Sequence, residues 1–486
     1  MNKTANRMFR KTLLLLLISL SLHAQHAFVD SLKITSEAGV LTATDRTPFL
    51  LRSRQYGTVP MEPNLVYLNT RVAKEYKGGR TWDYGFALEP HLNAGKTTEF
   101  LLPEAYLKGR VGPLEIYAGR RREVMGLIDT LGSMGSYIWS GNALPVPKVD
   151  LGFRQFVPLL KNGLIALKGN FAHGWLGSGD SVQNILLHQK SLYLRLGKPT
   201  WKVRIIAGFN HQAQWGGKPT RPYVDRISGQ MITKYDASLE NYIRVISGVS
   251  VGAQTSLTWD DVEGLPANEA GNRVGNHLGT LDLGFELEAG HALIKIYRQS
   301  IYEDGSLFYL STISDGLTGL SIAAKNDFNL CLEYLDTRHQ GGEIYYGNVP
   351  ELRGLDNYLN NGIYRDAWTY QGKTLGNALL NPYHENPAAF PAGHKYIPNY
   401  IYNNRVQAFH THARYRVRKN VLLSTQVISA MNYGHYLLPV EGRQLSLRQT
   451  GQLPLSHFDL LISLAADTGD YYPASYGLQV GIRKQW

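Results

Sequence analysis

Over most of its length the chain repeats with a period of two. Leu281, Leu283, Phe285 and Leu287 fall on one side of an extended segment, and Thr280, Asp282, Gly284, Glu286 and Glu288 on the other. Further on, Phe409, Ala413, Tyr415 and Val417 oppose His410, His412, Arg414 and Arg416. Successive side chains of a strand point to opposite faces, so the pattern predicts strands with one apolar and one polar face. A soluble antiparallel sheet would give the same alternation. Number and length separate the two. From Asn64 onward about eighteen segments of roughly 8–14 residues follow one another, near the ~9–11 that a tilted strand needs to cross a bilayer.

The N-terminus points to export. Lys3, Arg7, Arg10 and Lys11 precede an apolar run from Leu13 to Leu20, and Ala24 offers a small residue for cleavage. Residues 1–24 thus read as a secretory signal peptide, too short to span a bilayer as a helix. Removing them takes away four positive charges and leaves +7 of the formal +11. The remainder is mildly basic and has no polybasic tail, so no nucleic-acid partner is expected. No later apolar run approaches the ~20 residues of a membrane helix. An exported membrane chain without such helices must close a barrel, because open sheet edges leave backbone polar groups unsatisfied in lipid.

The expected architecture is all-β. Residues 25–62 read as a short periplasmic lead, and 63–486 as a transmembrane antiparallel β-barrel of about 18 strands in the outer membrane. Connections alternate short and long. Gly197-Lys198-Pro199 and Ala289-Gly290 are short, whereas roughly 174–188, 211–241, 303–316 and, longest, 340–402 are long. Long connections of such barrels face outward or fold inward, so the lumen is expected to be plugged. Thirty tyrosines and eight tryptophans suit wide amphipathic rims among outer-membrane lipids and lipopolysaccharide. The last strand alternates Tyr476, Leu478, Val480 and Ile482 with Gly477, Gln479, Gly481 and Arg483, and the chain stops at Trp486. A terminal strand of this kind resembles the signal read by the barrel assembly machinery. A monomer is expected.

The search for catalytic chemistry is mostly negative. Asp467-Thr468-Gly469 matches an aspartic-protease triplet, but no second such triplet exists to share its proton. His410 and His412 share a strand face, yet Arg414 and Arg416 on the same face repel a cation, so lumen lining is favoured. Cys331 is the only cysteine, which excludes an internal disulfide. No enzyme, metal or cofactor is expected.

Two stretches suit binding. Leu114 to Gly119 is a strand that runs into Arg120, Arg121 and Arg122, and alternation sends Arg121 toward the lumen beside Tyr117. Arginine forks suit carboxylates and phosphates; the plainer alternative is a ladder with lumen acids such as Glu115 and Glu123. Residues 340–402 hold eleven aromatics among many Asn and Gly, Tyr345 and Tyr346 included. Rings that stack on sugars beside amides that satisfy hydroxyls make a carbohydrate surface, although compact outer loops use the same mixture.

Glu104-Ala105-Tyr106, then Ile116-Tyr117-Ala118-Gly119-Arg120, then Ser140-Gly141-Asn142-Ala143-Leu144-Pro145-Val146-Pro147 together resemble the capsule assembly protein Wzi family. Asn361-Gly362-Ile363-Tyr364, Trp368-Thr369-Tyr370 and Gly376-Asn377 extend the likeness. The resemblance implies an eighteen-stranded outer-membrane barrel, closed by loops, that acts as a lectin and holds exported capsular polysaccharide at the cell surface. It brings no catalytic residues. Some members carry a periplasmic helical bundle, for which residues 25–62 leave little room. The expected contacts are Tyr364, Trp368, Tyr370 and Asn377 in the long loop, with Arg120 and Arg121 in the lumen. The alternative is a porin-like channel for anionic solutes or sugars.

Overall fold

The structure is a computed structural model that describes residues 31–225, 228–249, 266, 269, 273–303, 311–325, 327–344, 354–418 and 420–486. The expected signal peptide, with its cleavage after Ala24, lies outside them, as do Tyr345 and Tyr346. Among the described residues, the main sheet has eighteen strands, each antiparallel to its sequence neighbours. It has no free edge. The first strand, Leu32–Ala43, pairs with the last, Ser475–Gln485, placing Val40 opposite Val480 and Gly39 opposite Gly481. Closure satisfies the edge N–H and C=O groups that lipid cannot.

The alternation read from the sequence is the barrel's inside–outside pattern. On the strand Asn276–Ala289, Leu281, Leu283, Phe285 and Leu287 are bare on the outer face, whereas Thr280 and Asp282 are buried on the inner one. Phe100 and Leu107 are 68% and 70% exposed in the same outward sense. So large an apolar surface is stable only against lipid. Inward residues carry the polar chemistry: His410 and His412 are buried on the lumen side of Arg405–Arg418.

The first and last strands place both ends of the barrel chain at the same rim. That rim carries tight turns such as 112–113 and 290–291. The opposite rim carries the long connections 44–64, 121–147, 216–275 and 337–404. Strands run further into the long connections than expected, so the segment near 174–188 shrinks to the link between Ile165–Gly177 and Ile185–Leu196.

The expected periplasmic lead, 25–62, is corrected. Leu32–Ala43 is a wall strand, and 44–64 folds at the opposite rim with a short helix, Phe49–Arg52, fully buried. On Leu32–Ala43 the small or polar Ser36, Ala38 and Thr42 interrupt Ile34 and Val40 on the lipid side, so the period-two signal is weakened there.

Candidate functional site

Three connections meet inside the barrel. Between strands Leu114–Arg120 and Lys148–Pro158 the chain leaves the wall and crosses the interior. Inward wall residues hold it by its backbone. Asp282 accepts from the Leu127 N–H at 2.7 Å, Glu333 from Met134 at 2.5 Å and Gln299 from Tyr137 at 3.0 Å. Carboxylates aimed at backbone N–H groups replace the water that an irregular segment would otherwise need.

The motif at Ser140-Gly141-Asn142 is where the three strands of this crossing touch. Ser140 N donates to Leu375 O at 2.9 Å, and Asn142 Nδ2 to Thr374 O at 3.3 Å. From the other side, Tyr56 N donates to Gly141 O at 2.8 Å and Gly57 N to Asn142 O at 2.9 Å. Gly141 has φ +79°, and a Cβ there would sit 2.9 Å from the Tyr56 ring. Only glycine meets both demands.

The predicted loop residues belong to this filling. Trp368 and Tyr364 are fully buried; the Trp368 indole donates to Ile138 O at 2.8 Å and the Tyr364 hydroxyl to Gly216 O at 3.2 Å. Asn377 is also fully buried, with Nδ2 donating to Gly135 O at 2.7 Å. Tyr370 is 8% exposed and its hydroxyl accepts from Arg120 Nη2 at 2.9 Å. The expectation of a glycan-stacking set at these positions is therefore corrected: Trp368, Tyr364 and Asn377 present no surface. Their rings and amides satisfy a packed polar interior instead.

The arginines brace. Arg121 points into the lumen as alternation predicts, 2.6 Å from Glu115 and with its guanidinium 5.2 Å from the Tyr117 ring. Arg154 joins the same Glu115 at 3.0 Å and reaches Glu123 at 3.2 Å, which Lys148 also contacts at 2.8 Å. Arg122 pairs with Glu89. The ladder with Glu115 and Glu123 is thus present, and Arg120 ties the wall to the filling through Tyr370.

Cys331, Glu333 and His410 bring a thiol, a carboxylate and an imidazole together, within reach of one metal ion. Glu333 is already engaged: it accepts from Met134 N, from the Tyr297 hydroxyl at 2.6 Å, and faces His410 Nδ1 at 3.1 Å. This cluster seats the crossing segment. The carboxylate comes from the neighbouring strand, where Glu333 lies directly opposite His410, a pairing that the alternation within one strand does not reveal.

Cavities of about 270–350 Å³ remain among the inward wall residues, and two larger ones lie at the outer rim. A small hairpin pairs Thr369 with Thr374 and Tyr370 with Lys373, and its Gln371–Gly372 tip stands between two recesses. One, about 380 Å³, is lined by Asp180, Asp366, Thr369, Tyr370 and Asn399. The other, about 590 Å³, is lined by Glu62, Glu99, Lys373, His384 and Glu385. Both fall in the size range of small-molecule pockets. Burial lowers the Lys373 pKa to about 8. Beside them stands a cluster of half-buried rings. Tyr383 stacks on Tyr396 at 4.2 Å, Tyr396 meets Tyr402 edge-on at 5.2 Å, and Tyr402 lies 4.7 Å from Tyr400. These rings were legible as aromatics of the long loop. They sit among Pro382, Pro387, Pro391 and Pro398, apart from the Asn361–Asn377 motif.

A family model described as capsule assembly protein Wzi matches residues 66–381, a span that includes the crossing segment and the hairpin. The chain belongs to the Wzi family. Among solved structures, it is similar to an Escherichia coli protein described as Wzi, an outer membrane protein involved in group 1 capsule assembly and a carbohydrate-binding β-barrel. Identity is 17%, coverage 93% of this chain and 84% of that one, and the TM-score 0.58. At that identity the likeness shows the shared fold. Pseudomonas aeruginosa OccK1 (OpdK), at 8% identity, 94% and 98% coverage and TM-score 0.45, is a more distant barrel on which no argument rests. No curated protein matches the sequence. This Wzi-family chain is an outer-membrane β-barrel.

Proposed function

We propose that this Wzi-family barrel binds exported capsular polysaccharide noncovalently at its outer mouth and helps attach it to the cell surface. The observation that carries the reading is the half-buried cluster Tyr383, Tyr396, Tyr400 and Tyr402 beside the two recesses that flank Gln371–Gly372. Rings that keep one face toward water stack on the apolar faces of sugars, and the amides of Gln371 and Asn399 suit their hydroxyls. No bond is made or broken, so no nucleophile is required.

The filled interior supports binding over passage, because a porin-like channel needs an open lumen. Tyr396→Ala combined with Gln371→Ala tests the reading. The double variant should assemble a heat-modifiable barrel yet lose polymer, which appears in the medium while synthesis continues. Unchanged retention and unchanged binding of purified polymer would reject the assignment. Steady single-channel conductance of the wild-type protein in a planar bilayer would favour the channel instead.

A further inference from the structure

The outer face of the wall changes character along three neighbouring strands. On Ile185–Leu196, Leu192 and Leu194 are 42% and 46% exposed, whereas His188, on the same face nearer the outer rim, is fully buried. On Val203–Trp215, Val203 is bare and Ala213 and Trp215 are covered; on Asn276–Ala289, Leu283 is bare and His277 is covered. The cover is the helix Leu239–Ser247 from the connection 216–275, which lies on the outside of the barrel.

The helix is well specified. The Ser238 hydroxyl accepts from Asn241 N at its start, and Gly248 ends it in the left-handed region at φ 66°. One face is fixed to the wall: Tyr242 stacks on Trp215 at 5.0 Å and meets His173 edge-on at 5.5 Å, and Val245 packs with Ala213, Trp215 and Val274. The Lys190 ammonium donates to the Ile246 carbonyl near the helix C-terminus. The same apolar arc continues past the wall contact, while Glu240, Arg244 and Ser247 take the other side. Leu239 and Ile243, one turn apart, are 74% and 58% exposed, and Val249 just beyond is 52% exposed.

We propose that this helix lies in the outer leaflet, with Leu239 and Ile243 inserted at the headgroup–acyl boundary of its lipopolysaccharide. Three observations carry the assignment. Below the covered His188, Ala213 and His277, the same outer faces are bare at Leu192, Leu194, Val203 and Leu283, and already meet lipid. The helix sits at the rim of the long connections, the outward rim of such barrels. Its polar side carries Arg244, paired with Glu240 at 2.6 Å, a guanidinium suited to headgroup phosphates. A helix with one wide apolar arc, shared between wall and exterior, and a charged opposite side matches one lying in an interface plane. The bilayer would then hold this long connection against the barrel side, clear of the mouth.

The test is a depth measurement on the full barrel in lipopolysaccharide-containing bilayers. Ile243→Cys carries a nitroxide, with Lys395→Cys in the exposed outer loop as the aqueous control; the native Cys331 is fully buried and stays unlabelled. Oxygen should outcompete a water-soluble nickel chelate at 243, at a depth of about 5–10 Å, with the reverse order at 395. Leu239→Cys should repeat the result, and Glu240→Cys on the polar flank should read shallower. Nickel access at 243 equal to that at 395 would overturn the proposal. Shielding of 243 from both reagents would overturn it as well, since a second copy or another protein would then cover the face. Heat-modifiable migration confirms that each labelled barrel is folded.

Discussion

The indole N–H of Trp368 donates to the carbonyl of Ile138 at 2.8 Å. One residue lies in the longest connection and the other in the segment between the fifth and sixth strands, so this bond joins two separate threads of the barrel filling. Trp139 reinforces it edge-on at 6.1 Å. Trp368→Ala removes the bond and leaves a cavity the size of an indole, at a cost of about 3–5 kcal/mol to the filling. The wall should survive. The expected outcome is a correctly inserted barrel that shows flickering conductance in a planar bilayer, above the wild-type baseline. A silent variant would mean that the remaining threads hold without Trp368.

Arg52 and Glu385 form an ion pair with both side chains buried, linking 44–64 to the loop that carries the surface rings. Burial alone would raise the Glu385 carboxyl, but Arg52 and Lys373 outweigh it and hold the pKa below its ordinary 4.5. The folded state therefore binds the Glu385 proton less readily than the unfolded one. Its stabilisation is present above the unfolded value and is lost as pH falls through the lowered folded value. Glu385→Gln strands a buried guanidinium and should cost about 3–5 kcal/mol. Urea midpoints in detergent, compared at neutral and acid pH, should show the wild type converging on the variant only on the acid side.

Glu269 behaves in the opposite sense. Burial raises its pKa to about 7, against the Gly275 N–H that favours the charged form. The folded state holds this proton where the unfolded state has released it, so local stability declines as pH climbs from 4.5 to about 7. Glu269→Gln fixes the neutral form. Exchange of the Gly275 amide should be equal in the two proteins near pH 5 and slower in the variant at about pH 8. Equal protection at both would show that Glu269 carries no charge penalty.

Tyr297 reaches Glu333 by lying across Gly319 on the strand between them. A Cβ on Gly319 would fall 2.2 Å from the ring, so alanine must push the tyrosine aside and break its 2.6 Å bond to Glu333. Gly319→Ala should cost about 1–3 kcal/mol in detergent unfolding. In a Tyr297→Leu background the same change should cost measurably less, and a double-mutant cycle reads the difference. Additive losses would exclude the ring-over-glycine contact as the cause.

Strands such as Asn276–Ala289 were legible because lipid and lumen impose opposite polarity on alternate positions, so Leu281 beside Asp282 carries the fold in two letters. Leu32–Ala43 was not, because Ser36, Ala38 and Thr42 dilute the apolar character of its lipid face. Arg121 and Glu115 were placed correctly by the same alternation. The candidate site was harder. Trp368 and Tyr396 are both aromatics in a loop rich in Asn, Gly and Pro, and nothing in their immediate neighbours says which one the barrel encloses. That depends on the Ile138 carbonyl, some 230 residues away in sequence, and on the Pro-rich stretch that keeps Tyr396 outside. The helix Leu239–Ser247 was hidden because nine residues give its period too few turns to stand out among strands.

The pairing of Val40 with Val480 has a consequence for the order of events in folding. The seam joins segments separated by almost the whole chain, so it carries the largest loop-closure entropy of any strand pair and forms late. Segments 44–64, 121–147 and 355–404 are tethered at the outer rim, so they enter through the mouth and need no opening of the wall. Closing the seam and packing the interior are therefore separable events, and the last strand can seal a cylinder whose filling is still settling.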